Sequence, residues 1–110
     1  MPNIGIDIED VSRFEKKDYE NHLNFYKKIF TENEIQYCLK KTNPYKHFAV
    51  RFCAKEAAIK ASSKKITNLK TIEITVIDKK PTIKFPHNEV GLVSLSHTDK
   101  YAIAVVLILP

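Results

Sequence analysis

The first residues of the chain alternate. Ile4, Ile6 and Ile8 take turns with Gly5, Asp7 and Glu9, the period-two pattern of a half-buried strand, in which successive side chains leave opposite faces. Asp7 then projects from the face opposite the isoleucines, near the strand's end. From Asp10 to Ile29 the apolar positions turn helical: Val11 and Phe14, then Leu23, Phe25, Tyr26 and Ile29, with charges between them. Thr31-Glu32-Asn33-Glu34 has the form of a capping box, in which a threonine hydroxyl accepts from a free backbone N–H and a glutamate reaches back to the cap. It predicts a helix through about Lys41. Asn43-Pro44 breaks that helix, because the residue before a proline avoids helical backbone. The strongest helical segment runs from about Tyr45 to Ser63, free of glycine and internal proline and rich in alanine and lysine.

Beyond it the period changes again. Ile72, Ile74 and Val76 alternate with Thr71, Glu73 and Thr75, Asp78-Lys79-Lys80-Pro81 predicts a hairpin turn, and Thr82 to Phe85 a short return strand. Gly91 to Ser96 and Tyr101 to Leu109 are two further strands around the polar turn His97-Thr98-Asp99-Lys100. The last run is almost wholly apolar and predicts a central strand buried on both faces. The expected class is α+β, with an N-terminal strand, about four helices and a C-terminal antiparallel meander. No repeat, linker or low-complexity tract divides residues 1–110, so a single domain is expected.

Composition adds boundaries. With 44% hydrophobic and 28% charged residues the chain reads as globular rather than disordered or fibrous. The apolar run Tyr101 to Leu109 is about half of a bilayer span, and the N-terminus lacks a basic start followed by an apolar stretch. No membrane role is expected, and the cytoplasm is the expected location. Cys38 and Cys53 lie in helical patterns without metal-ligand spacing and read as buried free thiols. The net charge of +5, with a pI of about 9.2, favours acidic partners, although a solvated lysine-rich surface has the same signature.

On a wheel of about 100° per residue, Tyr45, Phe48, Ala49, Phe52, Cys53 and Ile59 fall within one arc of roughly 140°. Glu56 lies near the middle of that arc and Lys60 one turn further on. An ionisable group on an apolar face is costly unless paired or bound to a metal. Two readings are open: an ordinary i, i+4 ion pair between Glu56 and Lys60, or a functional site. Asp7 poses the same choice, between a helix cap and a ligand. Were Asp7 and Glu56 to converge, they would form a hard oxygen site for magnesium, which takes one or two carboxylates and completes its shell with water and phosphate oxygens. Arg51, Lys55 and Lys60 place three cations within ten residues, to hold phosphates or to form a solvated flank. In Val93-Ser94-Leu95-Ser96-His97-Thr98, strand alternation puts Ser94, Ser96 and Thr98 opposite His97. That disfavours a serine–histidine nucleophile and leaves a polar strand end suited to a ligand.

Taken together, Gly5-Ile6-Asp7-Ile8, Arg13-Phe14-Glu15, Ile29-Phe30-Thr31-Glu32-Asn33-Glu34, Arg51-Phe52-Cys53-Ala54-Lys55-Glu56-Ala57 and Ser94-Leu95-Ser96-His97-Thr98 occur in an order that resembles the holo-acyl-carrier-protein synthases, small bacterial phosphopantetheinyl transferases. The resemblance implies one α+β unit per subunit, assembled as a homotrimer with active sites between neighbours. It implies transfer of the phosphopantetheine arm of coenzyme A to a serine of apo acyl carrier protein, with release of adenosine 3',5'-bisphosphate, in support of fatty acid biosynthesis. By the same resemblance Asp7 and Glu56 would bind Mg2+, Glu56 would help deprotonate the serine, and Lys60 would stabilise or protonate the departing phosphate. Arg51, Lys55, Lys60, Ser96, His97 and Thr98 would contact coenzyme A, and Arg13 with Lys16 and Lys17 would dock the acidic carrier protein. A nucleic-acid-binding module, suggested by charge and by Tyr37, Tyr45 and Phe48 near lysines, leaves Asp7 and Glu56 without a role, so no nucleic-acid partner is expected. An inactive relative kept for assembly alone is opposed by the intact Asp7, Glu56 and Lys60.

Two stretches depart from the family pattern. Relatives usually follow the long helix with a Gly-Thr-Gly type of turn, where this chain has Ala61-Ser62-Ser63-Lys64-Lys65-Ile66. They usually place a short helix before the next-to-last strand, where Thr82 to Leu92, interrupted by Pro86, has room only for a tight loop.

Overall fold

The computed structural model describes residues 3–110; Met1 and Pro2, where the domain was expected to begin, lie outside them. Strand β1 (Asn3–Asp10) leads into three short helices, α1 (Ser12–Glu15), α2 (Leu23–Ile29) and α3 (Glu32–Leu39), and then the long α4 (Pro44–Ala61). Strands β2 (Glu73–Ile77), β3 (Lys80–Lys84), β4 (Gly91–His97) and β5 (Tyr101–Ile108) follow, with β2 antiparallel to β3 and β5 antiparallel to both β4 and β1. β5 lies at the centre of a three-stranded sheet between β1 and β4, while β2 and β3 form a hairpin against β4. The α+β architecture with an N-terminal strand, four helices and antiparallel C-terminal strands is as expected.

Local chemistry explains most boundaries. The Thr31 hydroxyl accepts from the Glu34 N–H at 3.2 Å and the Glu34 carboxylate accepts from the Thr31 N–H at 2.8 Å, completing the capping box. Pro44 occupies the first turn of α4, where its missing N–H costs nothing. Asp78 and Lys79 both adopt positive φ, the conformation of a two-residue hairpin turn matched to strand twist. Between Phe85 and Gly91 the chain forms a loop without a helix.

Helix α4 is covered on two sides, by the three-stranded sheet and by the short helices. Phe14, Tyr26, Phe30, Phe48 and Phe52 interlock on the helical side, with ring centroids between 4.7 and 6.3 Å apart. Of the expected arc, Phe48, Ala49, Phe52 and Cys53 are buried and Tyr45 and Ile59 partly so, while Val50, Ala54, Ala57, Ala58 and Ala61, outside it, are buried as well. The wheel therefore marks one covered face of a helix that has two. Cys38 and Cys53 are buried free thiols, as expected.

Two expectations about faces are corrected. Ile4, Ile6 and Ile8 are 68, 56 and 60% exposed, and the covered face of β1 is that of Gly5, Asp7 and Glu9. β5 is central but buried on one face only: Ala102, Ala104, Val106 and Ile108 lie against α4, while Tyr101 and Ile103 are exposed. The reason is the same in both strands, since a single chain supplies a layer to only one side of the sheet.

Lys55 is the most consequential buried polar group. Its ammonium is fully enclosed, 2.7 Å from Glu34 Oε1, and donates to the carbonyls of Ile29, Leu69 and Ile72 at 2.9, 3.1 and 2.6 Å. Glu34 Oε2 in turn accepts from the Ile74 N–H at 2.7 Å. Burial pulls the Lys55 pKa below the ordinary lysine value, and Glu34 opposes the shift. Removing one partner of such a pair strands the other charge in the interior. Lys55→Met should cost about 3–5 kcal/mol in urea-induced unfolding; a loss under about 1 kcal/mol would contradict this role.

Candidate active site

The site begins where β1 crosses the last turns of α4. A Cβ on Gly5 would lie 2.0 Å from the Ala57 carbonyl oxygen and 2.9 Å from the Ala61 nitrogen, so only glycine admits this approach. The contact sets the next two residues against the helix end. Lys60 Nζ donates to the Ile6 carbonyl at 2.9 Å and to Asp7 Oδ1 at 3.2 Å. The Asp7 side chain is 13% exposed and that of Lys60 56%. The structural alternative named for each is thereby removed. Lys60 pairs across elements with Asp7 rather than back along the helix with Glu56, and α1 has Val11 at its N-cap with no side-chain cap.

Asp7 Oδ2 is buried and has no hydrogen-bond partner among the described residues. An unsatisfied buried carboxylate oxygen costs on the order of 1–3 kcal/mol or more, so its place in a native structure calls for a missing partner. Glu56 is half-buried one turn before Lys60, on the same side of α4. Its carboxylate has no hydrogen-bond or ion-pair partner among the described residues. Among those residues no group of three or more His, Cys, Asp or Glu is placed to hold a metal. Two carboxylates with unused oxygens fit a hard cation that takes its remaining ligands from water and phosphate, and do not fit a closed zinc cage.

Glu9 shares the covered face of β1 with Asp7 and was not singled out from the sequence. Burial raises its pKa, Asp7 adds to the rise, and Arg13, 3.1 Å away, opposes it. The alternation that placed Asp7 contained this signal. Cys53 donates to the Ala102 carbonyl at 3.2 Å, and burial, with Asp7 next, pushes its thiol far above the usual range. It is not poised as a nucleophile.

The other expected residues divide. Arg51 is 2% exposed, lies 4.2 Å above the Tyr37 ring, donates to the His47 carbonyl at 3.3 Å, and leaves Nε buried without a partner among the described residues. The His47 ring meets that of His97 edge-on at 5.6 Å, so Arg51 and His97 share one basic corner with Lys41 and Lys46. Ser96 is exposed on the outer sheet face opposite Ile103. The Thr98 hydroxyl accepts from the N–H groups of Lys100 and Tyr101 at 3.2 and 3.0 Å, which closes the β4–β5 turn. Lys55, expected at coenzyme A, is instead enclosed with Glu34 and has no free donor to offer a ligand. Arg13 lies over Phe52 at 4.9 Å and pairs with Glu9, Lys17 lies over Phe25 at 5.1 Å, and Lys16 is exposed beside them.

The family model for the 4'-phosphopantetheinyl transferase superfamily matches residues 3–106. The chain belongs to that superfamily. It is 39% identical to a holo-[acyl-carrier-protein] synthase of Chlamydia felis over 99% of this chain and 98% of that protein. Identity to the corresponding Chloroherpeton thalassium protein is 45%, over 97% of each. Among solved members, the Bacillus anthracis synthase in complex with CoA (3',5'-ADP) matches with a TM-score of 0.82 and 32% identity, over 96% of this chain and 94% of that one. The Helicobacter pylori synthase in complex with coenzyme A matches at 0.84 and 30%, over 96 and 99%. These superfamily members share the α+β fold described above.

The basic corner carries a pH signature. Burial first, then Arg51, His97, Lys41 and Lys46, hold the His47 pKa at about 4, below the ordinary 6.5. Between these values the unfolded chain binds the proton and the folded chain does not, so acid favours unfolding. The loss of stability begins as pH falls below about 6.5 and is complete near 4. His47→Gln should be measurably flatter than wild type over this window in thermal melts; parallel curves would contradict the neutral, enclosed imidazole.

Proposed function

We propose that this chain is a magnesium-dependent holo-acyl-carrier-protein synthase. It transfers the phosphopantetheine arm of coenzyme A to a serine hydroxyl of apo acyl carrier protein and releases adenosine 3',5'-bisphosphate. The observation that carries the reading is the buried, unpartnered Oδ2 of Asp7, held beside Lys60 and on the Glu56 side of α4. It occurs in a chain that matches such synthases along nearly its whole length.

Asp7 and Glu56 would hold Mg2+, which when bound neutralises charge on the coenzyme A pyrophosphate. Glu56 takes the proton of the incoming serine. The serine oxygen forms a bond to the phosphorus nearer the pantetheine, and the bond from that phosphorus to the bridging oxygen breaks. Lys60 stabilises or protonates the departing adenosine bisphosphate. Arg51 and His97, with Ser96 and Thr98 at the neighbouring strand end, contact coenzyme A; the buried Lys55 supports α4 instead. Arg13, Lys16 and Lys17 dock an acidic carrier protein, and Arg13 connects that surface to the site through Glu9.

The active form is a homotrimer with sites between subunits. Support comes from the outer sheet face, where Ile4, Ile6, Ile8, Leu92 and Ile103 are 68, 56, 60, 58 and 38% exposed, an apolar surface that another copy would cover. Residues 1–110 act as a single catalytic domain, in the cytoplasm, in support of fatty acid biosynthesis.

Intact-mass analysis of apo acyl carrier protein incubated with coenzyme A, Mg2+ and this protein should show the gain of one phosphopantetheine group. Glu56→Gln should slow that gain by about 10²-fold or more. No gain with several carrier proteins would refute the transferase. Sedimentation should give three times the chain mass for wild type and a smaller species for Ile6→Asp; a monomeric wild type would refute the trimer.

A further inference from the structure

The end of α4 is held by an unusual device. A helix leaves its last carbonyls unsatisfied and tends to fray, and a glycine in left-handed conformation is the common remedy. None is present here: Ser62 takes extended backbone at φ −67° and ψ 139°, and no glycine lies between Ala61 and Ile66. Instead, a carboxylate from another loop binds the donors of the two residues that follow the helix, Ser62 and Ser63. Glu89 accepts from the Ser62 hydroxyl, from the Ser63 N–H at 3.1 Å, from the Ser63 hydroxyl at 3.0 Å, and pairs with His87 Nε2. The Ser62 hydroxyl also accepts from the Lys64 N–H at 3.0 Å.

The loop that carries Glu89 is itself anchored. Phe85 is buried at one end, and at the other the Val90 carbonyl accepts from the Leu109 N–H at 2.9 Å, tying the loop to the end of β5. Burial raises the Glu89 pKa, but the hydrogen bonds from Ser62, His87 and Ser63 outweigh it and bring the carboxyl down to about 2. The clamp is therefore ionised throughout the neutral range. Two residues before Ser62 stands Lys60, whose ammonium meets Asp7 only while the last turn of α4 keeps its place.

We propose that Glu89 is a positioning residue that clamps the glycine-free segment Ser62–Lys64 and thereby fixes the last turn of α4, holding Lys60 on Asp7. Glu89 touches no reacting atom; it acts through the helix end. The proposal rests on the transferase reading for its catalytic consequence, and its structural half stands apart from that reading.

The test uses the full-length protein with Glu89→Ala, Glu89→Gln and Glu89→Asp. Hydrogen exchange should speed at Ser63 and Lys64 in Glu89→Ala and Glu89→Gln, while amides in the middle of α4 stay protected. In the transfer assay kcat should fall on the order of tenfold, with KM for coenzyme A within about twofold, and Glu89→Asp should recover part of the rate. Unchanged exchange in both variants would overturn the clamp. Faster exchange with unchanged kcat, or a raised KM at constant kcat, would overturn its role in positioning Lys60. A wild type that transfers nothing would overturn the transferase and the catalytic half together, while exchange still decides the clamp.

Discussion

The close crossing of β1 over α4 at Gly5 is the constraint on which the site depends. A strand and a helix usually keep a side chain's distance, and here the helix backbone occupies the place of a Cβ. Ala57 and Ala61 supply the matching small residues on α4. The approach delivers the Ile6 carbonyl and the Asp7 carboxylate to Lys60, and it buries Asp7 Oδ2 without a hydrogen-bond partner among the described residues. A larger residue at position 5 would lift the strand and separate Lys60 from the Ile6 carbonyl and Asp7. The strand–helix packing and the Lys60–Asp7 pair thus rest on the same missing side chain.

For that crossing to be reproducible, α4 must itself be fixed along its length. Lys55 and Glu34 do this in the middle, gathering the end of α2, the start of α3, the turn at Leu69–Thr71 and the first residues of β2 around one ammonium and one carboxylate. Buried ion pairs add little net stability compared with apolar packing, but losing one partner is severe. A hub of this kind sets which arrangement of elements is allowed more than it deepens the well. It also accounts for a lysine buried at the centre of α4.

Much of this was legible from residue order. The capping box at Thr31–Glu34, the break at Pro44 and the alternation of β1 each have a local cause, and each appears in the structure. What alternation cannot tell is which face another layer will cover. In β1 the covered face is Gly5, Asp7 and Glu9, because only the glycine admits the helix backbone at the crossing, while the isoleucines are left outward. The wheel failed for Lys55 for a related reason: α4 is covered on both sides, so burial along it has no single period. Glu9 was overlooked although it repeats the position of Asp7. The link from Glu89 to Ser62 spans 27 residues and leaves no local pattern to read.

The central claim is that Asp7 and Glu56 form a divalent-cation site against which coenzyme A is held. Its most direct test is anomalous diffraction from crystals grown with coenzyme A and Mn2+ as a scattering substitute for Mg2+. The account predicts one peak within coordination distance of Asp7 Oδ2 and a Glu56 oxygen, in contact with the pyrophosphate. Bound coenzyme A with no peak there, or with the peak held by other residues, would contradict it.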